Sequence, residues 1–121
     1  MKFSILVYGA PTSSQAAASA YRFARAAIEK GHQIHRVFFY GDGVHTATRL
    51  SAVPQDETDL YRQWRELAQN HQLDMVVCIA AALKRGVLDD EEAGRFEKDG
   101  DNLAEGFELS GLGQLVDATQ A

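Results

Sequence analysis

Cysteine occurs once in this chain of 121 residues. A lone cysteine rules out an intramolecular disulfide, and no His or Cys cluster lies near it to supply further metal ligands, so the thiol is inert, reactive, or used between chains. Clustered cations are also missing. Twelve Lys plus Arg against seventeen Asp plus Glu leave a net charge of −5, and the longest basic run is the pair Lys84-Arg85. Direct grip on nucleic acid, which needs clustered positive charge against phosphates, is not expected. No apolar run approaches the roughly 18 residues of a membrane span. The first nine residues have an apolar stretch of only about five and lack a cleavage region for a signal peptide. A soluble, cytoplasmic protein is expected. Nucleotide-binding glycine motifs are absent too: Gly9-Ala-Pro-Thr-Ser-Ser has neither the P-loop's Gly-Lys-Ser/Thr nor G-x-G-x-x-G, and Gly41-Asp-Gly43 and Gly111-Leu-Gly113 lack a third glycine.

What is present is 45% hydrophobic residues, enough for one core, so residues 1–121 are read as a single domain. Residues 3–8 read as a mostly buried first strand, closed by the turn signal Gly9-Ala10-Pro11. A helix follows. Ala16, Ala17, Ala20, Phe23, Ala24, Ala27 and Ile28 recur at three and four, Ser13 or Ser14 can cap its start, and Gly31 closes it. Ile34, Val37, Phe38, Phe39 and Tyr40 form a second strand stopped by Gly41-Asp42-Gly43, and residues 44–54 amount to a helical turn and loop. A second long helix is expected from Asp56, with Glu57 and Asp59 near its positive end and Leu60, Trp64, Leu67 and His71 on the stripe facing the sheet. Residues 75–79 make a third strand, apolar on both faces as in the centre of a covered parallel sheet.

The alternation predicts an α/β protein: a three-layer α/β/α sandwich with an open, mainly parallel, doubly wound sheet. Chemistry in such sheets collects at the carboxyl ends of the strands. Three loops are expected to meet there, residues 9–15, 40–45 and 78–82. Beyond Gly86, residues 89–94 suggest one acidic helical turn and residues 96–106 an irregular excursion. Phe107-Glu-Leu suggests a short fourth strand, and Ser110 a cap for a last helix through Leu112, Leu115, Val116 and Ala118.

Cys78 sits where the third strand gives way to a helix. Thiolate is the nucleophilic form, and a free cysteine, with a pKa of about 8.5, is mostly protonated at neutral pH. A helix start favours an anion by roughly 0.3 to 1 kcal/mol, about 2 when partly buried. The first free amides are expected to be those of Ala80, Ala81 and Ala82, small residues that leave room for a partner's sulfur, with Lys84 and Arg85 adding positive charge nearby. Against this, cysteine is among the most buried residue types, and Val-Val-Cys-Ile also reads as strand filling. Both readings stand at this point.

Other candidates read as structural. His32 and His35, three apart beside a strand, point to different faces and are expected to be solvated. His71 is expected to pack. His45, in the second loop, is the histidine placed to act as acid or base near Cys78, or else sits at the rim. Asp89-Asp-Glu-Glu92 is expected to be a solvated helix start.

Four separated segments resemble the DsrE family in order and spacing: Arg36-Val-Phe-Phe-Tyr-x-Asp-Gly-Val44, Pro54-Gln-Asp56, Leu73-Asp-Met-Val-Val-Cys-Ile-Ala-Ala-Ala-x-x-Arg-Gly-Val87 and Ser110-Gly-Leu-Gly-Gln-Leu115. The resemblance spans the chain to about Ala118. It implies a DsrE-like fold and a sulfurtransferase that carries a persulfide on Cys78. In that reading sulfur comes from a TusA-like donor and passes to a TusE-like acceptor, toward 2-thiolation of the wobble uridine of tRNA. It further implies a heterohexamer with TusB-like and TusC-like subunits, two copies of each, and no metal or other cofactor. Ala80, Ala81, Ala82, Ser14, Tyr40 and Arg85 are the residues expected around the persulfide. Relay in dissimilatory sulfur oxidation, as for DsrE-type subunits, is the alternative, and a structural subunit with an inert cysteine is a further one. Family members run on past the last helix into another apolar strand, whereas this sequence stops at Thr119-Gln-Ala121.

Overall fold

The computed structural model describes residues 1–111 and 113. Four strands, β1 (Lys2–Val7), β2 (Gln33–Phe39), β3 (Met75–Cys78) and β4 (Phe107–Ser110), form one open sheet in the order β1-β2-β3-β4. Every pairing is parallel. The fold is therefore α/β, as the alternating pattern predicts. The described strands add one after another in a single direction, without the reversal of order that marks a switch-point crevice in a doubly wound sheet. The carboxyl edge itself, not such a crevice, is where chain segments converge.

Sequential order has a consequence for the helices. Right-handed crossovers that always step the same way deliver successive helices to the same face of the sheet. Helices α1 (Gln15–Glu29) and α2 (Leu60–His71) obey this. Trp64 of α2 meets Tyr21 of α1 edge to face at 5.4 Å and Phe39 of β2 at 5.5 Å. Phe39 shares its face with Val7, Val37, Met75 and Val77 through the register and the two-residue period of a strand. Phe107 of β4 closes the row against Phe39 at 5.4 Å. On the opposite face stand Phe38, Val76 and Cys78, also buried. All four residues of β3 are buried, so the sheet is covered on both sides at its centre.

Several local expectations are revised. Strand β1 is not mostly buried. It is the sheet edge, only Val7 is buried, and the others alternate between partial and full exposure because one neighbour and one helix layer cover half of them. Phe23, expected on the buried stripe of α1, is 48% exposed and lies against Phe3 of this edge at 5.0 Å. Ser14 is the α1 N-cap by position but makes no side-chain cap bond. Helix α2 starts at Leu60, not at Asp56: Asp59 is its N-cap, and the Asp59 Oδ1 accepts from the Arg62 amide at 3.0 Å. His71 is exposed at the end of that helix. His32 is half-buried, with its Nδ1 3.0 Å from the terminal amine.

The polar excursion is more organised than its composition suggests. Helix α3 (Ile79–Lys84) is followed by α4 (Asp90–Arg95), with Asp89 capping the Glu92 amide at 2.8 Å. The acidic start of α4 is not wholly solvated: Glu92 turns inward and is 4% exposed, 3.3 Å from Arg95. Asn102 then ties three segments together. Its Oδ1 accepts from the Leu88 amide at 2.8 Å, and its Nδ2 donates to Thr48 Oγ1 at 3.0 Å and to the Gly86 carbonyl at 2.9 Å. Arg49 pairs with Asp101 at 2.6 Å beside it. The expected last helix through Leu112, Leu115, Val116 and Ala118 lies outside the described residues.

Candidate active site

Strand β3 ends on Cys78 and α3 begins on the next residue. No loop intervenes. Cys78 keeps an extended backbone, with φ −62° and ψ 117°, and serves as the N-cap of α3 without a side-chain cap bond. The first four N–H groups at a helix start have no partner within the helix; here they belong to the N-cap Cys78 and to Ile79, Ala80 and Ala81, so the helical ones begin one position earlier than the sequence suggests. Ala81 and Ala82 are packed inside, while Ala80 is at the surface. Their lack of bulk lets α3 settle against the 3-10 helix at Gly41–Ala47. Cys78 itself is 3% exposed.

The register aligns the strand ends. Val7, Phe39, Val77 and Leu109 pair across the sheet, and Cys78 pairs with Ser110 one residue later. Tyr8 and Tyr40 follow Val7 and Phe39, so Tyr8, Tyr40, Cys78 and Ser110 end the four strands at one level. By alternation they share the face that carries Phe38 and Val76. The Tyr40 amide donates to the Val7 carbonyl at 2.9 Å, extending the ladder to this level. The Tyr8 and Tyr40 rings meet edge to face at 5.3 Å, and Tyr8 is 57% exposed. Tyr8 is absent from the residues the sequence singles out. Its signal was available, since it is an aromatic at a strand end directly before the Gly9 turn, but its neighbour across the sheet becomes visible only with the register.

The remaining candidates are spread around this edge. Ser14 lies against Gly9 at the end of β1, with β2 standing between it and the strand of Cys78. Arg85, the C-cap of α3, donates from Nε to Asp42 Oδ1 at 2.9 Å and from Nη1 to the Ala81 carbonyl at 3.1 Å. Lys84 is exposed. His45 sits half-buried in the 3-10 helix, among the buried Val44, Thr46 and Ala47. Among the described residues no group of three His, Cys, Asp or Glu side chains is placed to hold a metal ion. No described helix is long and apolar enough to cross a membrane.

The described carboxyl edge thus holds a single thiol, at the junction of a central strand and a helix. The whole chain, residues 1–121, matches the DsrE/DsrF-like family. The chain belongs to that family. Within it, the chain is 53% identical over 118 residues to the putative sulfurtransferase DsrE of Allochromatium vinosum, covering 98% of this chain and 91% of that one. The sulfurtransferase TusD of Sodalis glossinidius shows the same identity and coverage. A sulfurtransferase TusD homolog of Pseudomonas aeruginosa is 54% identical over 121 residues, 100% of this chain and 92% of the other. With these relatives the chain falls among the sulfurtransferases of the DsrE/DsrF-like family. The crystal structure of the ychN protein from E. coli superposes with a TM-score of 0.77 over 100% of this chain and 93% of that one, at 22% identity. At that identity the likeness speaks for the DsrE-like fold alone.

Proposed function

We propose that this sulfurtransferase carries sulfur as a persulfide on Cys78, taking it from a TusA-like donor and passing it to a TusE-like acceptor for tRNA wobble-uridine 2-thiolation. The observation that carries the reading is the place of Cys78: the one cysteine in the sequence stands at the N-cap position of a helix, at the carboxyl end of a central strand. The Cys78 thiolate attacks the outer sulfur of the donor's persulfide, the donor's S–S bond breaks, and the donor leaves as a thiolate. An acceptor thiolate then attacks the outer sulfur held on Cys78, and Cys78 is released as a thiolate. One S–S bond forms as another breaks in each step, so no external oxidant or reductant is consumed. With no second cysteine in the chain, the persulfide has no intramolecular thiol to resolve it into a disulfide.

The acidic balance of the chain suits a relay in which tRNA is met only by a later carrier, in the cytoplasm. Assembly with TusB-like and TusC-like subunits, two copies of each, belongs to the same proposal. The test is mass spectrometry after incubation with a sulfur-loaded TusA-like donor, which should find one added sulfur on Cys78. An unmodified Cys78 while the donor is discharged would remove the relay and favour a structural subunit with an inert thiol. A second reading has its own support, because the Allochromatium relative named DsrE is as similar as the Sodalis relative named TusD. Under that reading the sulfur flows in dissimilatory sulfur oxidation. Gene deletion separates the two: loss of 2-thiouridine from tRNA supports thiolation, and intact 2-thiouridine supports oxidation.

A further inference from the structure

The turn Gly41-Asp42-Gly43 has no part in the sulfur chemistry, yet it is held on both sides. Gly41 has φ +55°, in the region that favours glycine. Gly43 has no room for a side chain, because a Cβ there would run into the Val7 carbonyl. The Gly43 amide donates to the Tyr40 carbonyl at 2.9 Å, and the Tyr40 amide to Val7 at 2.9 Å, so the turn is anchored to the ends of β1 and β2. Between the two glycines the Asp42 carboxylate accepts from Arg85 Nε at 2.9 Å. Arg85 in turn grips its own helix through the Ala81 carbonyl at 3.1 Å. Helix α3 is only six residues long and continuous with Cys78, so whatever fixes its far end fixes the setting of the thiol.

We infer that Asp42 and Arg85 are positioning residues for Cys78: their ion pair straps α3 to the 3-10 helix and keeps the thiol in its buried setting. Why such a setting is useful rests on the sulfur-relay reading, since a carrier must hold its persulfide away from stray thiols between donor and acceptor. The Arg85 and Asp42 side chains are 31% and 65% exposed, so the strap is open to screening by salt.

The experiment measures the rate at which iodoacetamide alkylates Cys78 in the full chain at neutral pH. Arg85→Gln and Asp42→Asn should each speed labelling on the order of two- to fivefold, the factor a partly exposed ion pair supplies. The charge-reversed pair Asp42→Arg with Arg85→Asp should return the rate toward that of the unaltered protein. In the unaltered protein the rate should rise with sodium chloride concentration, and in either single variant it should not. The salt response of the unaltered protein needs no substitution to fold, and unchanged thermal melting of the single variants alongside faster labelling separates a local strap from a loss of overall stability. Single variants that label at the unaltered rate, or a rate insensitive to salt in the unaltered protein, overturn the strap. Failure of the strap leaves persulfide formation on Cys78 untouched, whereas a Cys78 that accepts no sulfur sinks the relay without altering these rates.

Discussion

Cys78 and Ser110 lie directly opposite each other as the last pair of the β3–β4 ladder, and the thiol at this final position is 3% exposed. A reagent therefore reaches the sulfur by way of local opening. Native Cys78 should be alkylated by iodoacetamide at least about ten times more slowly than in urea, since an opening free energy of about 1.4 kcal/mol already gives that factor. Equal rates would mean that the thiol stands open in solution.

The two glycines at opposite ends of the chain's spacing requirements give contrary expectations. Gly43→Ala places a methyl group against the Val7 carbonyl, which is backbone and cannot swing away. Thermal melts should show it destabilised by about 1–3 kcal/mol, the range for overpacking. Gly94 lies within α4 and a Cβ there meets nothing within 4 Å. Gly94→Ala should stabilise by about 0.5–1 kcal/mol through helix propensity.

Asn102 organises a stretch without regular structure, through one accepted and two donated hydrogen bonds. Asn102→Ala leaves the Leu88 amide without its side-chain acceptor and should cost about 1–3 kcal/mol. Urea denaturation measures it, and a loss below about 0.5 kcal/mol would show that water replaces the amide.

Asp59 and Asp56 separate the observed start of α2 from the one the charge pattern suggests. Asp59→Ala removes the cap on the Arg62 amide and should lower stability by about 0.5–2 kcal/mol. Asp56 is exposed before the helix, and Asp56→Ala should change stability by less than about 0.5 kcal/mol. Reversed magnitudes in denaturant melts would move the helix start back to Asp56.

The sequence by itself determined the strand and helix alternation, because burial imposes a period of two on strands and 3.6 on helices. The stripe of Leu60, Trp64 and Leu67 and the unbroken apolar run of β3 carry that requirement wherever they are placed. It also determined that Cys78 would stand at a strand-to-helix junction, since Val76-Val77 and Ala80-Ala81-Ala82 differ in local preference on either side of it. Tertiary structure alone decided the rest. Strand order made β1 an edge, exposing Tyr8 and Phe23, and no local pattern states which strand will have one neighbour. Register brought Tyr40 and Tyr8 level with Cys78, and register is a property of two segments at once. The bond between Asp42 and Arg85, 43 residues apart, and the inward turn of Glu92 depend on how separate elements pack, because a charge cluster or a Gly-Asp-Gly turn reads the same on a solvated surface as at a working edge.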